Sequence, residues 1–104
     1  MTSTVKDIAN FDRLIHEPAR LAIMAVLSAC EGADFTYLVN ATGLSKGNLS
    51  AHLKKLEDGG YIAITKGFKG NYPTTSCSIT IEGQRAFTDY RKQYLSLANH
   101  LQQM

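Results

Sequence analysis

Long hydrophobic runs are missing from this 104-residue chain. No apolar stretch approaches the ~18–20 residues that cross a bilayer, so no membrane span is expected. The opening Met1-Thr2-Ser3-Thr4-Val5-Lys6-Asp7 lacks the apolar centre and cleavage site of a secretory leader, which predicts a cytoplasmic setting. Cysteine is scarce. Cys30 and Cys77 are too far apart in sequence to form a metal-binding pair, and in a reducing compartment they are expected to be free thiols in core or strand. Catalytic signatures are missing too. There is no glycine-rich phosphate loop, no HExxH, no GxSxG and no convincing carboxylate pair, so no enzyme is expected and no cofactor or metal is assigned. Repeats, low-complexity tracts and linkers are absent, and the length suits one domain over residues 1–104 with only the first few residues frayed.

Charge of either sign is sparse, and the net of +2 identifies no partner by itself. Its distribution says more. Between Ser45 and Tyr72 stand five lysines (46, 54, 55, 66 and 69) against Glu57 and Asp58, a local net of +3, so the rest of the chain sums to −1. A mildly acidic body with one basic segment fits a polyanion partner, although charge runs often only solvate a face.

What is present is helical periodicity interrupted once by a β-type pattern. Val5, Ile8, Phe11 and Ile15 recur at steps of three and four, predicting a first amphipathic helix. Pro18 suits the first turn of a second helix. Pro18 to Cys30 is apolar nearly all round, which predicts burial, and Glu31-Gly32-Ala33 is expected to end it through a glycine cap. Asp34 caps a third helix, Phe35 to Thr42, and Gly43 breaks it; Ser45 caps a fourth that runs to about Asp58 before Gly59-Gly60. Tyr61 to Lys66 and Thr74 to Ile79 read as the strands of a hairpin with Gly67–Asn71 at its tip, and Pro73 implies an exposed or edge position. Thr80 caps a last helix whose Phe87, Tyr90, Tyr94, Leu97 and Leu101 follow the 3-4-3-4 spacing of a helix-pairing seam. The expected fold is mainly α with a small β-hairpin wing, a winged helix-turn-helix.

Within this plan Leu49, Leu53 and Leu56 turn one stripe of the fourth helix to the core. By 100° steps, Gly47, Asn48, Ala51, Lys54 and Lys55 face outward, flanked by Ser50 and His52. Small and polar residues near the helix start let the backbone approach base edges. Asn48 suits adenine in a major groove, and Ser45 and Lys46 lie at the positive helix end, where phosphates are favoured. Lys54 and Lys55 sit further along, placed for backbone phosphates, and Lys66, Lys69 and Asn71 of the hairpin are placed for an adjacent minor groove or phosphate. The DNA-reading elements are then a recognition helix over about 45–58 and a wing over about 62–79.

The segment Thr42-Gly43-Leu44-Ser45-Lys46-Gly47-Asn48-Leu49-Ser50-Ala51-His52-Leu53-Lys54-Lys55-Leu56-Glu57-Asp58-Gly59-Gly60-Tyr61 resembles the recognition segment of compact stand-alone winged-helix regulators related to the MarR and ArsR families. His16-Glu17-Pro18-x-Arg20-Leu21, Pro73-x-Thr75 and Ile79-Thr80-x-x-Gly83 resemble the opening of the second helix, the end of the wing and the last cap. The resemblance implies a homodimeric transcriptional regulator on double-stranded DNA at an imperfect palindrome. It also implies dimerisation through terminal helices, about residues 1–16 and 80–104, which the seam reading supports independently. The pairing residues are then Ile8, Phe11, Ile15, Phe87, Tyr90, Tyr94, Leu97 and Leu101. This wing departs from the family in lacking arginines, and Leu38-Val39-Asn40 stands where ArsR sensors carry a thiolate metal motif. Whether a small-molecule effector binds near the dimer interface is left open. The rival reading is a winged-helix protein-interaction module; a basic rather than apolar outer face on the fourth helix favours DNA.

Overall fold

The computed structural model describes residues 5–104, with the side chains from Lys6 onward. The first few residues, expected to be frayed, and the side chain of Val5 lie outside the described part. A 3-10 helix, Val5–Asn10, comes first. It is followed by α1 (Pro18–Ser28), β1 (Ala33–Asp34), α2 (Phe35–Thr42), α3 (Lys46–Asp58), β2 (Ile62–Lys69), β3 (Tyr72–Ile79) and α4 (Ile81–Gln102). The helices pack against a three-stranded antiparallel sheet of order β1-β3-β2. Among the described residues no helix is long and apolar enough to cross a membrane.

The N-terminal helix expected over Val5–Ile15 stops at Asn10. The Asp12 carboxylate accepts the N–H groups of Leu14 (2.9 Å) and Ile15 (3.2 Å). That side chain offers the backbone an alternative to continuing the helix. Phe11 and Ile15 are still buried, inside the turn that follows.

Glu17 caps α1. Its carboxylate accepts the N–H groups of Ala19 (2.8 Å) and Arg20 (3.0 Å), with Pro18 directly after it. Partial burial alone would raise its pKa. The two N–H donors and the charges of His52 and Arg20 outweigh that and hold the carboxyl below its ordinary 4.5. Its contribution to stability is therefore complete above pH 4.5 and is lost as the pH falls through the lower folded value. Glu17→Ala is expected to lower stability by about 1 kcal/mol at pH 7. Glu17→Gln should flatten the pH dependence of stability in acid melts, as the pH falls below 4.5 and the depressed carboxyl takes up its proton. Unchanged acid melts in both variants would remove Glu17 as the cap.

Expectation and structure also part over the surface and the end of α1. Only Ile23, Met24 and Leu27 of this helix are buried, while Ala25 is exposed and Ala22 and Val26 are half-buried. Alanine on the outer face supplies helix propensity, not core. The helix ends at Ser28 with Ala29 as its cap, so Gly32 is not the cap. Gly32 instead lies where the chain enters β1, with a Cβ there only 3.4 Å from the Cys77 carbonyl.

The two middle helices match their expected bounds. Asp34 accepts the N–H of Tyr37 (2.7 Å) to start α2, and Gly43 ends it at φ 73°. The Ser45 hydroxyl accepts the N–H of Asn48 (3.2 Å) to start α3. Leu49, Leu53 and Leu56 are buried. The strands are longer than expected. β2 continues through Gly67 to Lys69, and a two-residue turn, Gly70-Asn71, reverses the chain with Gly70 at φ 64°. Pro73 lies beyond β1, which pairs with β3 only at Ser76 and Cys77. Burial pushes the Cys77 thiol up to about 11, whereas Cys30 is exposed. A thiol reagent is expected to add once to the native chain, at Cys30, and twice after denaturation, counted by mass spectrometry. Two adducts on the native chain would show that β3 opens readily.

Candidate nucleic-acid interface

The core stripe of α3 determines what its opposite face offers. With Leu49, Leu53 and Leu56 buried, Lys46, Gly47, Asn48, Ser50, Ala51, Lys54 and Lys55 are all exposed, as is Ser45 at the cap. A Cβ at Gly47 would meet nothing within 4 Å, so the front of the helix is open to close approach. No large apolar side chain interrupts this face.

His52, expected beside the reading face, is turned inward. Its Nδ1 lies 3.2 Å from an Arg20 guanidinium nitrogen and 3.3 Å from the Glu17 carboxylate. Arg20 also donates from Nε to the Leu14 carbonyl at 2.6 Å. His52 therefore ties the middle of α3 to the start of α1, a role invisible without the tertiary neighbours. Glu17 and Arg20 were not singled out by the sequence as supports of the reading helix. Their shared helical turn beside Pro18 was the available signal.

The lysines differ in availability. Lys54 pairs with Asp58 at 3.0 Å and Glu57 at 3.6 Å. The hydrogen bond to Asp58, its charge and that of Glu57 hold the Lys54 ammonium above its ordinary 10.5. Lys46, Lys55, Lys66 and Lys69 form no ion pair among the described residues. Lys66, Lys69 and Asn71 are exposed on the wing. A cleft of about 630 Å³ separates α3 from the wing, lined by Ser50, Leu53, Lys54 and Glu57 of α3, Phe35 of α2, and Ile64, Lys66 and Thr75 of the wing, with the Glu57 carboxylate 3.6 Å from the Lys54 ammonium. From Gly59 to Ile81 the chain has no Asp or Glu.

A sequence model of the winged helix DNA-binding domain matches residues 19–97. The chain belongs to that family. An uncharacterized protein of Methanocaldococcus jannaschii is 32% identical over 90 residues, covering 86% of this chain and 98% of its own. Winged-helix architecture is shared with a transcriptional regulator homologue from Pyrococcus horikoshii OT3, at a TM-score of 0.85 and 23% identity, over 93% of this chain and 98% of that one. It is shared too with a MarR family regulator from Enterococcus faecalis V583, at 0.77 and 17% over 99% and 93%. Solved regulators of both the MarR and ArsR families thus have this fold.

The residues assigned to pairing divide into two groups. Phe11, Ile15, Phe87, Tyr90 and Leu97 are buried within the single chain. Spacing shows which residues share a face of α4, but not whose atoms cover it; the 11–17 turn covers part of this one. Phe11 meets Tyr90 edge-on with ring centroids 5.6 Å apart, and His16 Nδ1 lies 2.7 Å from the Tyr90 hydroxyl. Ile8, Tyr94 and Leu101 remain exposed, joined by Leu95 and Met104, which stand outside the 3-4-3-4 seam.

Proposed function

We propose that the chain is a homodimeric transcriptional regulator that reads double-stranded DNA, with α3 in the major groove and the wing on the adjacent backbone or minor groove. The observation that carries this reading is the outer face of α3, small and polar at its start and basic further along, beside a wing free of carboxylates. Membership of a DNA-binding domain family supports it. Asn48 is the base-reading residue, and Lys46, Lys55, Lys66 and Lys69 meet phosphates. The exposed side of α4 around Tyr94, Leu95 and Leu101, with Ile8, is the surface for the second copy. A two-fold pair then reads half-sites about 10 bp, or a small multiple of that, apart in an imperfect palindrome. We place this activity in the cytoplasm.

The test is selection of bound sequences from random duplex DNA at stated salt, with sedimentation of the free protein. Asn48→Ala is expected to lower the operator preference by about 1–3 kcal/mol, the worth of a bidentate base contact, without changing the melting temperature. Lys55→Ala should weaken all sequences alike and reduce the salt slope by about 1. A monomer that selects no sequence, or an Asn48→Ala variant with full preference and unchanged melting, would overturn the assignment.

A further inference from the structure

We propose that the wing tip is an aromatic grip for the DNA minor groove beside the site read by α3, with Phe68 as an apolar wedge and Tyr72 on the opposite face of the ribbon. The proposal rests on the DNA-binding reading above and goes beyond it. There the wing contributes lysines to phosphates; here it contributes a contact that salt does not screen.

Phe68 and Tyr72 are each 78% exposed. Neither ring contacts another ring among the described residues, and both stand beyond Ile64 and Cys77, the last cross-strand pair of the wing with a buried member. The core does not use them. Register decides where they point. Phe68 pairs with Pro73 and Lys66 with Thr75, so alternation puts Phe68, Lys66 and Thr75 on one face. That face is the one turned toward the reading helix, because Lys66 and Thr75 line the cleft whose other wall is Ser50 and Lys54. Tyr72 pairs with Lys69 on the opposite face. The Gly70-Asn71 turn keeps the tip narrow, which suits a groove about 6 Å wide.

Charge selects the occupant. The acid-free stretch from Gly59 to Ile81 with free Lys66 and Lys69 favours a polyanion and disfavours a second copy of the same tip. An anionic membrane also carries negative charge. DNA is favoured because the Phe68 face carries Lys66 and Thr75, which form one wall of the cleft whose other wall holds Ser50 and Lys54 of α3, the helix proposed to read the duplex. Phenylalanine placed against a minor-groove base step partly unstacks it and bends the duplex.

The experiment uses the full chain and its selected duplex, with 2-aminopurine scanned through positions flanking each half-site and dyes on the duplex ends. Wild type is expected to brighten 2-aminopurine at one flanking step and to shorten the end-to-end distance. Phe68→Ala should abolish both, weaken binding by about tenfold and leave the salt slope and melting temperature unchanged. Phe68→Leu should restore the bend. Lys69→Ala should reduce the salt slope and keep the fluorescence change. If wild type selects and binds a duplex while Phe68→Ala binds and bends it equally well, the grip is overturned and the DNA-binding reading stands. Loss in Phe68→Ala of binding only to phosphatidylserine vesicles overturns it in favour of a membrane. Selection of no duplex by wild type overturns the DNA-binding reading itself.

Discussion

Leu49→Ala is expected to destabilise the protein by about 2–5 kcal/mol and to abolish DNA reading together with the fold of α3. Leu49 is wholly buried beside Leu53 and Leu56, and these three are the buried side chains of that helix. Truncation loses their transfer free energy and leaves a void that rigid neighbours only partly close. The helix has little else to hold it. Its mean hydropathy is low, four of its thirteen residues are Lys, Glu or Asp in the second half alone, and helices of this length are marginal without tertiary packing. In a domain whose total stability is of order 5–15 kcal/mol, the loss is a large fraction. Melting should fall by roughly 10–20 °C at fixed protein concentration. The comparison with Asn48→Ala, one residue away on the opposite face, separates anchoring from reading: one variant melts early, the other melts normally and loses preference. A Leu49→Ala protein that melts within a degree or two of wild type would show that α3 is held by something other than its leucine stripe.

The parts of the fold that the sequence made legible are those decided within a few residues. Asp34, Gly43 and Ser45 act on N–H and C=O groups of their own helix ends, so the bounds of α2 and α3 follow from local chemistry. The outward face of α3 was legible for the same reason, since three leucines orient the helix. The misreadings came from competition or from distance. Asp12 diverts the chain out of the first helix by bonding Leu14 and Ile15. β1 has two residues, too few for alternation to show, and it exists because β3 lies beside it. Gly67 looked like loop but continues β2, since a two-residue turn suffices to close the hairpin. His52 sits on the flank where periodicity places it, yet its partners Glu17 and Arg20 are 35 and 32 positions away, which no local pattern reports. Lys54, placed by the sequence for backbone phosphates, pairs in the fold with Asp58, an i,i+4 couple of opposite sign.

Gly83→Ala is expected to cost about 3 kcal/mol or more, at or above the upper end of ordinary overpacking. Gly83 is buried in the first turn of α4, where the Thr80 hydroxyl accepts its N–H at 3.0 Å. A Cβ there would stand 2.1 Å from the Tyr61 carbonyl oxygen and 3.0 Å from both the Tyr61 carbonyl carbon and Ile79 Cγ1. The nearest obstacle is backbone, and that backbone is tied down. The Tyr61 carbonyl accepts the N–H of Thr80 at 3.0 Å, the Tyr61 N–H donates to the Leu56 carbonyl at 3.0 Å, and the Tyr61 hydroxyl donates to Asp12. Relief therefore requires α4 to move off the junction between α3 and β2, carrying Phe87 and Tyr90 with it. Helix propensity pulls the other way, since alanine is better than glycine in a helix by up to about 1 kcal/mol. The clash is the larger effect. Gly47→Ala isolates the propensity, because a Cβ at that position of α3 meets nothing within 4 Å. The same substitution should thus raise or leave unchanged the stability at Gly47 and lower it sharply at Gly83, measured by denaturant midpoints on both variants. A Gly83→Ala protein as stable as Gly47→Ala would show that α4 does not rest against the Tyr61 carbonyl.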